Sequence, residues 1–410
     1  IDRENDPPTL AVREAQRRAI IAERAARDAA PTALVMEEMT EPRETRVLER
    51  GRYDKPGERV SAGVPAALGN WPEGQPRNRL GFARWLVGDD CPLTARVAAN
   101  RLWATCFGEG LVRTPHDFGA QGEPPTHLEL LDFLACELRD SDWDLKAVLR
   151  KIVTSRTYRQ ESAIRGGNDR DSDPDNRWLA RGPKVRLSYE MLRDQALAAS
   201  GLLVRKVGGP SVKPFQPPGL WEDVSYNGNE SYEVDAGEGR WRRSVYTFVK
   251  RQAPPPGLLL FDGPTREKCS LKRPRTNTPL QALVLLNDEA FWAAARELAR
   301  NSLESESLPA LPASDVNRKS EGVEIDRRRV THLAAAVLTR RLEEQEITVW
   351  LAHLGRLRKA LQGDPERRRR IVHGSDGGSS EIDSPSMIEW ASWTVLAHTM
   401  LNLDETAVRP

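Results

Sequence analysis

The sequence predicts a mainly α, multi-helical domain with a small β-ribbon and long ordered loops. Three observations carry that prediction. At least seven segments of the 410-residue chain repeat apolar residues at i, i+3 and i+4, most beside recognisable caps or stops. Few segments alternate as strands do. The composition, 39% hydrophobic and 30% charged, can build a core and still leave each helix a solvated face.

In order along the chain, residues 9–30 read as an Ala/Arg/Glu helix, the expected tail of an upstream region. The stretch 42–65, "PRETRVLERGRYDKPGERVSAGVP", alternates and is broken by Gly51, Pro56 and Gly57, which predicts a β-ribbon. A Pro/Gly/Asn-rich link leads into helices at 79–88 and 93–108, with Gly88 and Gly108 as stops. Helix 124–141 is predicted to carry a capping box of Thr126 and Glu129; helix 144–155 starts from Asp144, and helix 188–201 runs from Ser188 to Gly201. Polar residues 165–177 form a loop. The Gly/Pro-rich stretch 207–240 is irregular, and Phe215, Trp221 and Tyr226 argue that it is ordered. One strand is expected over 242–251, alternating Arg243, Val245, Thr247 and Val249 with Arg242, Ser244, Tyr246 and Phe248. A helix is predicted over 279–301, a mobile insert over about 302–326, and C-terminal helices within 327–405, near 328–341, 344–361 and 385–402. The basic run 365–370, "PERRRR", reads as a solvated face.

Several classes of function drop out. With 61 basic and 60 acidic residues the chain has no overall pull toward nucleic acid or an anionic membrane, and no 18-residue apolar run predicts a membrane span. Cys91, Cys106, Cys136 and Cys269 include no C-x-x-C pair, which excludes a zinc ribbon and covalent haem attachment. A phosphate loop, G-x-S-x-G, H-E-x-x-H and the kinase set that would give meaning to Asp117-Phe118-Gly119 are missing. Only 11 of the basic residues are Lys, so 50 are Arg, a skew toward forked, bidentate pairing.

The densest chemistry lies at 261–281. "RPRTNTPLQALVLLND" (273–288) starts cationic and ends as a helix, with Thr278 as N-cap, Pro279 at the first position and Gln281 completing a capping box. Arginines ahead of a helix N-terminus, where orphan N–H groups already carry positive charge, suit an anion: an internal carboxylate or a ligand. The candidate polar cluster is Asp262, Arg266, Cys269, Arg273, Arg275, Asn277 and Gln281. Asp262, Arg266, Arg275, Asn277 and the helix start are expected to converge, mostly buried. Basic surroundings are what a reactive Cys269 requires, although no histidine is local to it. A second candidate group, Asn100, Asp117 and His127, suits structural hydrogen bonding better than metal ligation, with Asp117 accepting from Arg96, Asn100 or Arg101.

"RLGFARWLVGDDCPLTARVAANRLWATCFGEGLVRTPHDFGAQGEPPTHLELLDFLA", "RQAPPPGLLLFDGPTREKCSLKRPRTNTPLQALVLLND" and the terminal "LNLDET" resemble a planctomycete-specific domain of unknown function. The resemblance runs from about 77 to 405, and residues 42–65 resemble the segment that precedes the domain. Asn100, Trp103, Asp117, Gly119, His127, Asp262, Arg266, Cys269, Arg275, Thr276, Asn277, Pro279 and Gln281 fall on the family pattern; Lys272-Arg273-Pro274 departs from it. The family has no established catalytic residues to carry over. The resemblance implies an extracytoplasmic domain at the C-terminal end of a large protein, whose upstream domains, often including a c-type cytochrome, are its expected partners. It places any haem upstream, with no cofactor in residues 1–410. The domain plan is therefore a tail at 1–76 and the helical domain at 77–405. The expected function is scaffolding or docking in a redox or polysaccharide-handling protein. The alternative is a hydrolase-like enzyme acting on complex glycans through a Trp-lined cleft.

Overall fold

The computed structural model describes residues 7–29, 33–162, 173–225, 228, 230–304, 318–374 and 385–409 of the chain. It divides into two compact units, residues 1–94 and 95–410. The first holds α1 (Pro7–Ala29), β1 (Thr45–Leu48), β2 (Pro56–Val60) and α2 (Arg79–Val87). The ribbon expected from alternation forms, with Thr45 opposite Val60 and Arg46 opposite Arg59. Asn78 caps α2, its Oδ1 accepting from Gly81 N at 3.1 Å.

The second unit is helical. α3 (Thr94–Phe107, its first residue closing the first unit), α4 (Leu128–Asp140) and α5 (Leu145–Thr154) bury Ala99, Trp103, Leu131, Leu138, Val148 and Ile152 in one core. Asp144 caps α5 as the sequence suggested. The capping box at α4 does not form: His127 holds the N-cap position without a side-chain bond, because Thr126 Oγ1 donates instead to Leu111 O.

α6 (Tyr189–Ser200) and the short α7 (Pro256–Leu260) precede α8 (Pro279–Asn287), α9 (Glu289–Glu304), α10 (Arg318–Leu338), α11 (Glu344–Gln362), α12 (Pro365–His373) and α13 (Pro385–Leu401). Of these, α6, α8 to α11 and α13 bury a second core, which Phe261 after α7 joins, and α12 closes a smaller cluster against α11 and α13. Ala294, Ala295 and Ala299 of α9 are fully buried, and small side chains there let helices approach closely. α13 is apolar almost all round, as a helix enclosed by others must be. Its buried Ser392 and Thr394 hydroxyls return to the carbonyls four residues back. α14 (Asp404–Ala407) leads into β4 (Val408–Arg409), which pairs with β3 (Val185–Arg186) just ahead of α6.

Two expectations are corrected, the long helix and the strand. The helix over 279–301 is two helices, parted at Asp288, whose Oδ1 accepts from Ala290 N at 2.8 Å and starts α9. The strand over 242–251 is a single 3-10 turn, Ser244–Tyr246, with lone bridges Val204–Arg242 and Val212–Thr247. There Arg193 of α6 donates to the carbonyls of Arg240 and Arg242 and to Ser244 Oγ, while Asp194 accepts from Ser244 N. Side chains thus take backbone groups that a ladder would need. Residues 318–326 of the expected mobile insert lie in α10, and 305–317 fall outside the described residues. The "PERRRR" run is the body of α12, and Glu366, Arg367, Arg369 and Arg370 are exposed as a solvated face requires; only Arg368 of the run turns in, 2% exposed and donating to the carbonyls of Leu361 and Gln362. Of the loop aromatics, Trp221 is buried against Tyr232 and Phe248; Tyr226 lies outside the described residues.

Among the described residues no helix is long and apolar enough to cross a membrane.

Candidate functional site

The segment ahead of α8 is held by arginine, but not around a buried anion. Arg273 Nε donates to Asp262 O at 2.9 Å and to Phe261 O at 3.2 Å, Nη2 to Phe261 O at 2.7 Å, and Nη1 to both Glu190 carboxylate oxygens at 2.9 and 3.1 Å. One planar fork thereby ties the 261–262 turn to α6, which a lysine could not do. Asp262 sits at φ +58, and its Oδ2 accepts from Thr276 N at 2.9 Å and Thr276 Oγ1 at 2.8 Å. Gln281, 1% exposed, donates from Nε2 to Leu260 O and Thr276 Oγ1, while its Oε1 accepts from Arg186 Nε. Thr278 occupies the N-cap with no side-chain cap bond, so the predicted capping box is absent: Gln281 is turned inward.

The mostly buried convergence is corrected accordingly. Gln281 is buried and Asp262 and Arg273 are half-buried, whereas Arg266, Cys269, Arg275 and Asn277 are exposed. Arg275 Nη1 reaches Gly108 O at 3.3 Å, and the carboxylate that answers Arg273 comes from α6, not from Asp262. Cys269 is an exposed thiol, and none of Cys91, Cys106, Cys136 and Cys269 is in a disulfide.

The second candidate group resolves into separate roles. Asn100, 1% exposed, donates from Nδ2 to Val112 O and accepts from Val112 N at Oδ1. Asp117 accepts from Gly119 N at 2.7 Å, while Arg96 turns to Asp132 at 2.6 Å. His127 Nδ1 lies 3.1 Å from Thr126 Oγ1. Asp117 therefore shapes its own turn and does not receive the predicted α3 donors. Among the described residues no group of three His, Cys, Asp or Glu could hold a metal ion.

What Asn100 shapes is the loop 108–113. A Cβ on Gly110 would meet the Asn100 amide at 2.6 Å, and one on Gly108, at φ +88, would meet Arg275 Nη1 at 2.9 Å and Val185 Cγ2 at 3.0 Å. Two clefts, of about 400 and 440 Å³, share this loop and Arg275. Arg113, Arg177, Arg181, Lys184, Arg186 and Arg275 border the first, against Glu109 and Asp175. Arg101, Lys272 and Arg273 are added by the second, so nine basic side chains face two acidic ones. Arg113 pairs with Asp175 at 2.8 Å and Lys272 with Glu109 at 2.7 Å, which uses up both acids. Arg113 holds the Asp175 carboxyl below its ordinary range. Trp103 borders the first cleft but is buried, stacked on Phe107 at 4.0 Å. The basic stretch 181–186, "RGPKVR", was the signal that sequence reasoning passed over.

A third cleft, of about 310 Å³, opens between the start of α6, residues 214–216 and the turn before α7. Tyr189 OH donates to Asp288 Oδ2 at 2.5 Å. Burial raises both the Tyr189 and the Asp288 pKa, and for Asp288 the Tyr189 bond partly opposes the rise. Gly257 admits the Tyr189 ring, since a Cβ there would lie 2.2 Å from it. Gln216, 5% exposed, has an enclosed Oε1 with no partner among the described residues. No sequence signal marks Tyr189, Gln216 and Asp288 as neighbours.

No curated protein and no solved structure matches the chain. Residues 78–354, which include loop 108–113, Arg273, Arg275 and Gln281, match the PSD1 family, described as protein of unknown function (DUF1553), and the chain belongs to that family.

Proposed function

We propose that the chain is a docking module without catalytic chemistry or a cofactor of its own. It holds a carboxylated polymer, an acidic glycan, in the joined clefts around Arg275. It does so within a larger extracytoplasmic protein that handles polysaccharide. The observation that carries this is the charge of the clefts: nine basic side chains border them against two acidic, in a chain whose totals are 61 and 60, and a cationic excess remains after Arg113, Lys272, Arg186 and Arg273 are paired with Asp175, Glu109, Asp404 and Glu190. Arginine forks suit carboxylates spaced along a chain, and an open groove with several of them adds weak contacts into useful affinity. The glycan hydrolase reading has less support, because the carboxylates near the third cleft are engaged. Glu190 serves Arg273, Asp194 serves Ser244 N, and Asp288 serves Tyr189 and Ala290 N.

The test is retention on immobilised polygalacturonate against neutral dextran at low salt. Wild type should be retarded by polygalacturonate alone, and less so as ionic strength rises toward about 0.15 M, where exposed charges are screened beyond about 8 Å. Arg275→Glu and Lys184→Glu, both at exposed positions, should each weaken retention about tenfold, roughly 1.4 kcal/mol. Equal retention of wild type and both variants, or no retention at all, overturns the proposal.

A further inference from the structure

Independently of the arginine-rich clefts, we propose that the cleft between Phe215, Gln216 and the Pro255 turn binds one ring of a neutral polyhydroxylated compound, the chemistry of a sugar unit. The cleft of about 310 Å³ and a neighbouring cavity of about 120 Å³ share Tyr189, Phe215, Gln216 and Pro255. Phe215 is 40% exposed although its chain neighbour Gln216 is buried, so an aromatic face is left uncovered beside both cavities. Pro255, Pro256 and Leu258 supply further apolar wall, and C–H faces of a ring pack on such surfaces.

The polar part of the cleft asks for a donor. Gln216 Oε1 is an amide acceptor with no partner, and buried acceptors are ordinarily satisfied. The oxygen is closed off from the open cleft, so a ligand hydroxyl reaches it only when the amide turns toward the cavity. Charge argues for a neutral ligand. Three arginines (Arg193, Arg243, Arg266) and three carboxylates (Glu190, Asp194, Asp288) border the two cavities, a balance unlike the nine against two around Arg275. The carboxylates already accept from Arg273, Ser244 N and Tyr189, and Arg193 is spent on two carbonyls and Ser244 Oγ. Donors and acceptors set close together around an apolar wall fit hydroxyls, which both donate and accept. The turn that makes the wall is the "APPPG" stretch at 253–257, to which the docking proposal gives no role.

The experiment is saturation-transfer NMR on the full 410-residue chain with methyl β-glucopyranoside, methyl β-galactopyranoside and methyl α-mannopyranoside. At least one should receive saturation and titrate with a single dissociation constant. Gln216→Leu and Phe215→Leu, each checked for an unchanged far-UV spectrum, should weaken that constant about tenfold or more. Both should leave retention on polygalacturonate as in wild type, while Arg275→Glu leaves the pyranoside constant unchanged; either proposal can thus fail without the other. If all three pyranosides fail to bind wild type, the inference is overturned. It is also overturned if Gln216→Leu binds as wild type does, which would make the orphan oxygen the seat of a structural water. Should Phe215→Leu misfold, Gln216→Leu alone decides.

Discussion

Asn100 reads both backbone groups of Val112, its Nδ2 donating to the carbonyl at 3.0 Å and its Oδ1 accepting from the amide at 2.9 Å. The two residues are buried, so neither backbone group has water to fall back on. One side chain on α3 thus sets the course of the loop that parts the two cationic clefts.

Replacing Asn100 by Asp keeps the acceptor but sets a carboxylate oxygen against the Val112 carbonyl. Leaving a buried group unsatisfied costs roughly 1–3 kcal/mol, more for a charge. Asn100→Asp should therefore lower the midpoint of chemical denaturation clearly. An unchanged midpoint would show that the loop is held from elsewhere.

Arg273 and Arg275 stand two positions apart and should behave in opposite ways. Arg273→Lys cannot span two carbonyls and Glu190 at once, and a loss of about 1–3 kcal/mol is expected for hydrogen bonds to a charged group. Arg275 is exposed, and Arg275→Ala should shift the thermal midpoint little, since exposed polar contacts contribute about 0–1 kcal/mol. Its loss should instead appear in polygalacturonate retention. Strong destabilisation by Arg275→Ala together with unchanged retention would reverse the assignment.

Gly108 faces two constraints at once. Its φ of +88 disfavours a side chain, and an added Cβ would press on Arg275 Nη1 and Val185 Cγ2. Gly108→Ala should destabilise by about 1–2 kcal/mol from the backbone alone. The guanidinium is the more yielding neighbour, so it should also move Arg275 and weaken retention. A stable variant with wild-type retention would contradict this.

His398 of α13 is 4% exposed, stacked on Trp292 at 3.9 Å, with Nε2 unpartnered among the described residues. Burial pushes its pKa down to about 4, and the Arg296 charge works in the same direction. The folded state therefore holds a neutral ring where the unfolded chain, near 6.5, takes up a proton. Between pH 6.5 and 4 the unfolded state binds more protons, so stability should fall with pH, by about 3 kcal/mol once pH reaches the folded value. The Asp288 carboxyl, raised by burial, has the opposite sign in the acid range, so the His398 share is read as a difference. In His398→Gln the decline between pH 6.5 and 4 should be shallower than in wild type, measured by urea midpoints. Parallel curves would mean that His398 is protonated in the folded state.

Much of the helical frame was legible because it is local. The i, i+3, i+4 spacing placed α2 to α6, and Ser188, Asp144 and Gly201 act within one turn of their own residues. The ribbon at Thr45–Leu48 and Pro56–Val60 was legible for the same reason, since a hairpin's strands are close in sequence. The arginine content announced forked pairing, and Arg273 shows it.

Partners distant in sequence were decided only by the tertiary structure. Glu190 meets Arg273 from 83 residues away and Arg186 reaches Gln281 across 95, distances over which a sequence names no partner. The capping boxes at α4 and α8 failed because Thr126 found Leu111 O and Gln281 found Leu260 O, long-range acceptors outbidding local ones. The strand over 242–251 was lost for the same reason, to Arg193 and Asp194. Composition alone, 61 basic residues against 60 acidic, could not reveal a concentrated cationic cleft. Charge sums along a chain, but its field depends on where folding brings Arg275, Arg113 and Lys184 together.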